Sequence, residues 1–142
     1  MSDQGNYEIS FKFMIPEYST VPAGFVNITF GDPFLDKTKN LAVMIDTGYD
    51  GYLVLPIKQF NELELFKYLM PNTTVIGEIA DGRILEFSVA KGRIQIPEIK
   101  FDMIIEIDTF EECTTPLIGR EFINQLTTIF EGKHKNLKVI NG

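Results

Sequence analysis

A chain of 142 residues suits a single domain (residues 1–142), and a hydrophobic share of 44% with 12 Phe can build a core, which excludes disorder as the main state. The formal net charge of −7, with a pI near 4.7, argues against nucleic acid or an anionic membrane surface as the main partner. Cys113 is the only cysteine and His134 the only histidine, so an internal disulfide and a Cys-built metal centre are excluded, and neither a metal nor a cofactor is expected.

The opening "MSDQGNYEIS" is polar and acidic and does not read as a secretory leader. No apolar run approaches the ~20 residues needed to span a bilayer. The expected location is therefore cytoplasmic, and the sequons at Asn27 and Asn72 are expected to stay unmodified.

"YEISFKF" alternates polar and apolar residues as a half-buried strand does, and "GFVNITFGD" is a second strand closing on a Gly-Asp-Pro turn signal. "LAVMID" is nearly all apolar and is expected to be covered on both faces, as is "GYLVLP". In "PIKQFNELELFKYLM" the apolar residues Ile57, Phe60, Leu63, Phe66 and Leu69 fall three apart, which predicts one amphipathic helix with Pro56 at its start and Pro71 beyond its end. "TVIGEIADGRILEFSVAKGRIQI" returns to strands around an Asp81-Gly82 hairpin turn. "FDMIIEID" is another strand, "TPLIGREFINQL" passes through a Gly into a short helix, and "TTIFEGKHKNLKVI" is a closing hairpin with His134 at its solvated turn. Many short strands with regular turns and two helices point to a mainly β barrel or sandwich.

The unusual feature is the carboxylate of Asp46, set between two apolar runs in "LAVMIDTGYDGYLVLP". A turn after a strand is the ordinary meaning of Asp-Thr-Gly, because Asp accepts local backbone hydrogen bonds and Gly allows positive φ. Here the flanking apolar runs would hold the acid at the mouth of a sheet. Together with the "IADGR" hairpin and "PLIGREFINQLTTIFEGKHKNLKVI", the stretch resembles the retropepsin-like aspartic proteases, in order and spacing, over roughly residues 22–140. These include the retroviral enzymes and their cellular and prokaryotic relatives.

The resemblance implies a closed or semi-closed acid-protease β-barrel whose active site forms between two subunits. It implies that Asp46 is catalytic, that the Thr47 hydroxyl bridges the two active-site loops, and that the Gly48 carbonyl binds substrate backbone. The hairpin from about residue 75 to 89 would be the flap, with Ala80, Asp81, Gly82 and Arg83 at its tip. Gly48, Tyr49, Asp50 and Ile118 would complete the substrate-binding set, and Asp50 and Arg120, seventy residues apart, would form an internal ion pair. Tyr49 departs from the pattern, since retroviral enzymes usually carry Ala there and pepsins Ser, and it is expected to narrow the substrate groove.

Peptide hydrolysis by this route needs a base for water and an acid for the carbonyl oxygen and the leaving nitrogen. Two carboxylates a few ångströms apart share one proton and so supply both roles. With a single Asp-Thr-Gly in the chain, the second carboxylate must come from a second copy, so the expected form is a homodimeric endopeptidase acting on peptide or protein substrates. The alternative is a protease-fold module that binds peptides or dimerises with weak or no catalysis. Cys113, in "EECTTP", follows two acids, which would raise its thiol pKa and discourage nucleophilic use.

Overall fold

The computed structural model describes residues 7–17, 19–78 and 84–142, with side chains outside 72–86. Ten strands and two short helices make up the described chain: β1 (Tyr7–Lys12), β2 (Phe25–Gly31), β3 (Thr38–Ile45), β4 (Leu53–Leu55), α1 (Ile57–Glu62), β5 (Leu69–Glu78), β6 (Ile84–Ile96), β7 (Phe101–Thr109), β8 (Leu117–Ile118), α2 (Arg120–Ile123), β9 (Thr127–Glu131) and β10 (Asn136–Asn141).

Seven strands form one sheet in the order β2-β3-β8-β4-β7-β6-β5, and an added β2–β6 pairing closes six of them into a barrel. Closure removes the free edges that a mainly β protein must otherwise protect. The closing register pairs Thr29 with Gln95, Phe30 with Ile94 and Gly31 with Arg93. Inside lie the inward-pointing residues of the alternating strands: Val26, Ile28 and Phe30 from β2, Ile94 and Ile96 from β6, and Ile105 and Ile107 from β7. Phe122 of α2 is fully buried and meets Phe101 edge-on at 5.6 Å. A separate antiparallel sheet, β1-β10-β9, joins the two ends of the described chain.

Two sequence expectations need correction. The stretch from Ile57 is not one helix: α1 ends at Glu62, Glu64 adopts φ 54°, and a 3-10 turn follows over Leu65–Tyr68. Residues spaced strictly by three drift by about 60° per step around a helix of 3.6 residues per turn, so they cannot share one face over four such steps. The chain resolves the conflict by breaking. Phe60, Leu63 and Leu65 go into the core, while Phe66 and Leu69 remain about half exposed. Pro71 accordingly lies within β5 and not in a loop beyond a helix. β3 is likewise not covered on both faces, since Ala42 is exposed and Val43 is its one fully buried residue, whereas Leu53, Val54 and Leu55 of β4 are buried throughout. The C-terminal hairpin and the short helix at Arg120 match expectation, and His134 sits exposed in the 3-10 turn between β9 and β10.

Candidate active site

Asp46 directly follows β3, and the turn it begins is tied to the β8–α2 junction through the main chain. The N–H of Asp46 donates to the carbonyl of Ile118 at 2.9 Å, and that of Arg120 to the carbonyl of Tyr49 at 2.9 Å. The N–H of Gly119 donates to the carbonyl of Tyr52 at 3.1 Å, and that of Glu121 reaches the carbonyls of Asp50 and Gly51 at 3.3 and 3.2 Å. This is why the sequence places a glycine at 119. A Cβ there would lie 2.6 Å from the Tyr49 carbonyl oxygen and would collide with that of Gly51. Within the turn, the N–H of Gly48 donates to Oδ1 of Asp46 at 2.9 Å, and that of Tyr49 to its carbonyl at 3.1 Å. This N–H donation fixes the direction of the carboxylate.

Asp46 is half-buried while Thr47 and Gly48 are exposed. The carboxylate borders a cleft of about 480 Å³ whose walls are Met14, Ile15, Phe25, Met44, Phe110 and Leu117, with Glu17, Glu112 and Cys113 also in the lining. Nothing in the sequence alone announced that the segment Met14–Glu17 would wall this cleft. It arrives there because Met14 bridges Ala23 in a small ladder beside β2. Cys113 does have a raised thiol pKa, but the first cause is burial and not its acidic neighbours.

The structure brings Asp46, Thr47, Gly48, Tyr49 and Asp50 into one turn and puts Ile118 directly beneath it. Ile118 is fully buried, so it supports the turn from inside and does not line the cleft. Tyr49 also turns away from the cleft: its phenol donates a short hydrogen bond to Oδ2 of Asp108 on β7, a residue that sequence reasoning passed over. On β7, Asp108 shares the outward row with Asp102, Ile104 and Glu106, so alternation assigns it to solvent. The clue to its burial was the large residue at 49 followed by a glycine at 51. Burial pushes the Asp108 carboxyl up to about 6, with Glu106 and Asp50 adding to the rise and the bond from Tyr49 opposing it. Burial, then the charge of Asp108, drives the Tyr49 phenol far above its ordinary value.

The Asp50–Arg120 ion pair is not formed: both side chains are exposed, and the main-chain bonds already join these segments. Ala80, Asp81, Gly82 and Arg83 lie outside the described residues. Among the described residues, no group of three or more His, Cys, Asp or Glu could hold a metal ion, and no helix is long and apolar enough to cross a membrane.

No family model matches the chain. An uncharacterised protein of Archaeoglobus fulgidus is 24% identical over 110 residues, spanning 75% of this chain and 84% of that protein. Among solved structures, the protease of EIAV in complex with the inhibitor HBY-793 superposes with a TM-score of 0.51 at 19% identity, covering 77% of this chain and 92% of the viral one. The barrel is therefore of the retropepsin type.

Proposed function

We propose that the chain is an aspartic endopeptidase that works as a homodimer, hydrolysing peptide bonds with a water held between two Asp46 carboxylates, one from each copy. The observation that carries this reading is the Asp46 carboxylate itself. It is aimed by the Gly48 N–H, anchored through its own N–H to β8, and set at the edge of a largely apolar cleft large enough for side chains of a peptide. One carboxylate cannot act as both acid and base. Two related by a two-fold axis share a proton, so that one draws a proton from water while the other gives one to the scissile carbonyl oxygen. The exposed Thr47 and Gly48 would meet their counterparts in the partner copy.

The three-stranded sheet supports a surface for that partner. β9 stands at its edge, and Ile129 and Phe130 on it are 41% and 48% exposed. An edge strand with apolar residues is a template for pairing with a second copy. That the similar solved structure is a protease bound to an inhibitor supports a peptide or protein substrate for this chain.

Asp46→Asn tests the reading. The amide keeps the shape and can still accept from the Gly48 N–H, but it cannot serve as base. The variant should fold and dimerise as the parent does and lose peptide cleavage by at least about a hundredfold, in line with the loss of a general base. Undiminished cleavage would remove Asp46 from the mechanism. A parent chain that binds peptides without cleaving them would favour the peptide-binding module.

A further inference from the structure

Within the catalytic turn, Tyr49 reaches inward. Its ring lies in a slot left by two glycines: a Cβ on Gly119 would lie 2.6 Å from Tyr49 Cδ2, and one on Gly51 would lie 2.6 Å from Cζ and 2.9 Å from Asp108 Oδ2. At the end of the slot the phenol O–H donates to Asp108, 59 residues further along the chain. The bond spans from the turn bearing Asp46 to the wall of the barrel. Main-chain bonds tie the turn to β8 and α2, and this side-chain bond is what ties it to β7.

The surroundings of Asp108 are mostly acidic. Asp50 approaches from the turn and Glu106 from β7 itself. Glu121 of α2 and Lys91 of β6 line the same small polar cleft, about 330 Å³, that Asp108 borders. Cys113 lies near enough to Tyr49 to act on it electrostatically. An ionised carboxylate in this place is costly and depends on its donor. A protonated one is not, because removing the charge relieves both burial and repulsion.

We propose that Tyr49 and Asp108 are positioning residues for the Asp46 carboxylate: their bond locks the catalytic turn onto β7, and the phenol's hold counts most when Asp108 is ionised. Its consequence for catalysis rests on the aspartic-protease reading above, whereas the lock itself does not. In acid the turn is held by a neutral pair. As pH rises through about 6, the folded-state value for Asp108, the buried anion favours opening, and the phenol is then the group that restrains it.

The test is amide hydrogen exchange of residues 46–51, corrected for its intrinsic pH dependence, together with kcat and KM on a peptide substrate, at pH 5 and pH 7.5. In Tyr49→Phe the ring still fills the slot but the anion loses its donor. Exchange should rise about tenfold at pH 7.5 and by less than about twofold at pH 5, the size expected for one hydrogen bond to a charged group. The kcat of Tyr49→Phe should fall with the same pH split, with KM within about twofold of the parent. Asp108→Asn keeps an acceptor for the phenol and removes the charge, so its exchange should show no step near pH 6. An effect of Tyr49→Phe equal at both pH values would mean simple packing and would overturn the proposal, as would exchange identical to the parent. Should Tyr49→Phe fail to fold, the pH step in Asp108→Asn settles the matter: its loss supports the lock and its persistence overturns it. A parent chain that cleaves no peptide, yet whose turn exchanges as described, would overturn the protease reading and support the lock.

Discussion

Asp108 sets the sharpest expectation at the scale of single residues, because the sign of its effect on stability is fixed by its environment. Its folded-state value is about 6, against an ordinary carboxyl value of 3.8. A carboxyl raised on folding contributes stability that is fully present below the unfolded value and is lost as pH climbs from about 4 to about 6. The loss amounts to about 1–3 kcal/mol, since a shift of one unit corresponds to roughly 1.4 kcal/mol. Asp108→Asn should therefore be more stable than the parent at pH 7 by about that amount, with the advantage vanishing toward pH 4. Urea unfolding of both proteins at four pH values measures it, and a variant less stable by the same amount at every pH would contradict it. The turn formed by Asp46, Thr47 and Gly48 after β3 was legible because a short motif and its apolar flanks signal it locally. Asp108 was not, because its burial depends on a tyrosine in a different element.

Among the elements, the junction of β8 with α2 holds the turn bearing Asp46 by main-chain contact. Gly119 is the point of closest approach, where any Cβ would press on the carbonyls of Tyr49 and Gly51. Gly119→Ala should cost about 1–3 kcal/mol, as overpacking against backbone does, and it should lower kcat more than it alters KM because the turn itself must move. Chemical denaturation and steady-state kinetics on the same preparation measure both, and a variant with parental stability and kcat would contradict the tight junction. The strands were legible from alternation and turn residues, and β1, β2, β7 and the β9–β10 hairpin lie where those signals put them. The region from Ile57 to Leu69 was not. There a spacing of three fits the period of a 3-10 helix better than that of an α-helix, and burial of both Leu63 and Leu65 required the chain to turn over at Glu64.

The whole molecule presents one Asp-Thr-Gly, a closed barrel that leaves the turn bearing Asp46 partly exposed, and a second sheet ending in β9. On the proposed aspartic-protease reading, these make activity depend on association. Each copy carries −7, so two copies repel at long range, and salt at ~0.1 M screens this over about 10 Å while leaving apolar edge contacts intact. Specific activity should fall on dilution through the dimer dissociation constant, and moderate salt should move that curve to lower protein concentration. Ile129 is the place to perturb the edge, because Phe130 also packs within the chain, against Phe13 at 6.5 Å and over Gly24. Ile129→Asp adds a charge to an edge that, in the proposed dimer, would face a like-charged partner, so it should shift the dilution curve to at least about tenfold higher concentration, a change of roughly 1.4 kcal/mol in association, while leaving the thermal unfolding of the isolated chain nearly unchanged. Sedimentation in parallel with the activity assay separates weaker association from misfolding. A chain that sediments as a monomer at micromolar concentration and still cleaves at full rate would refute the shared site, because a lone Asp46 has no second carboxylate with which to divide the roles of acid and base.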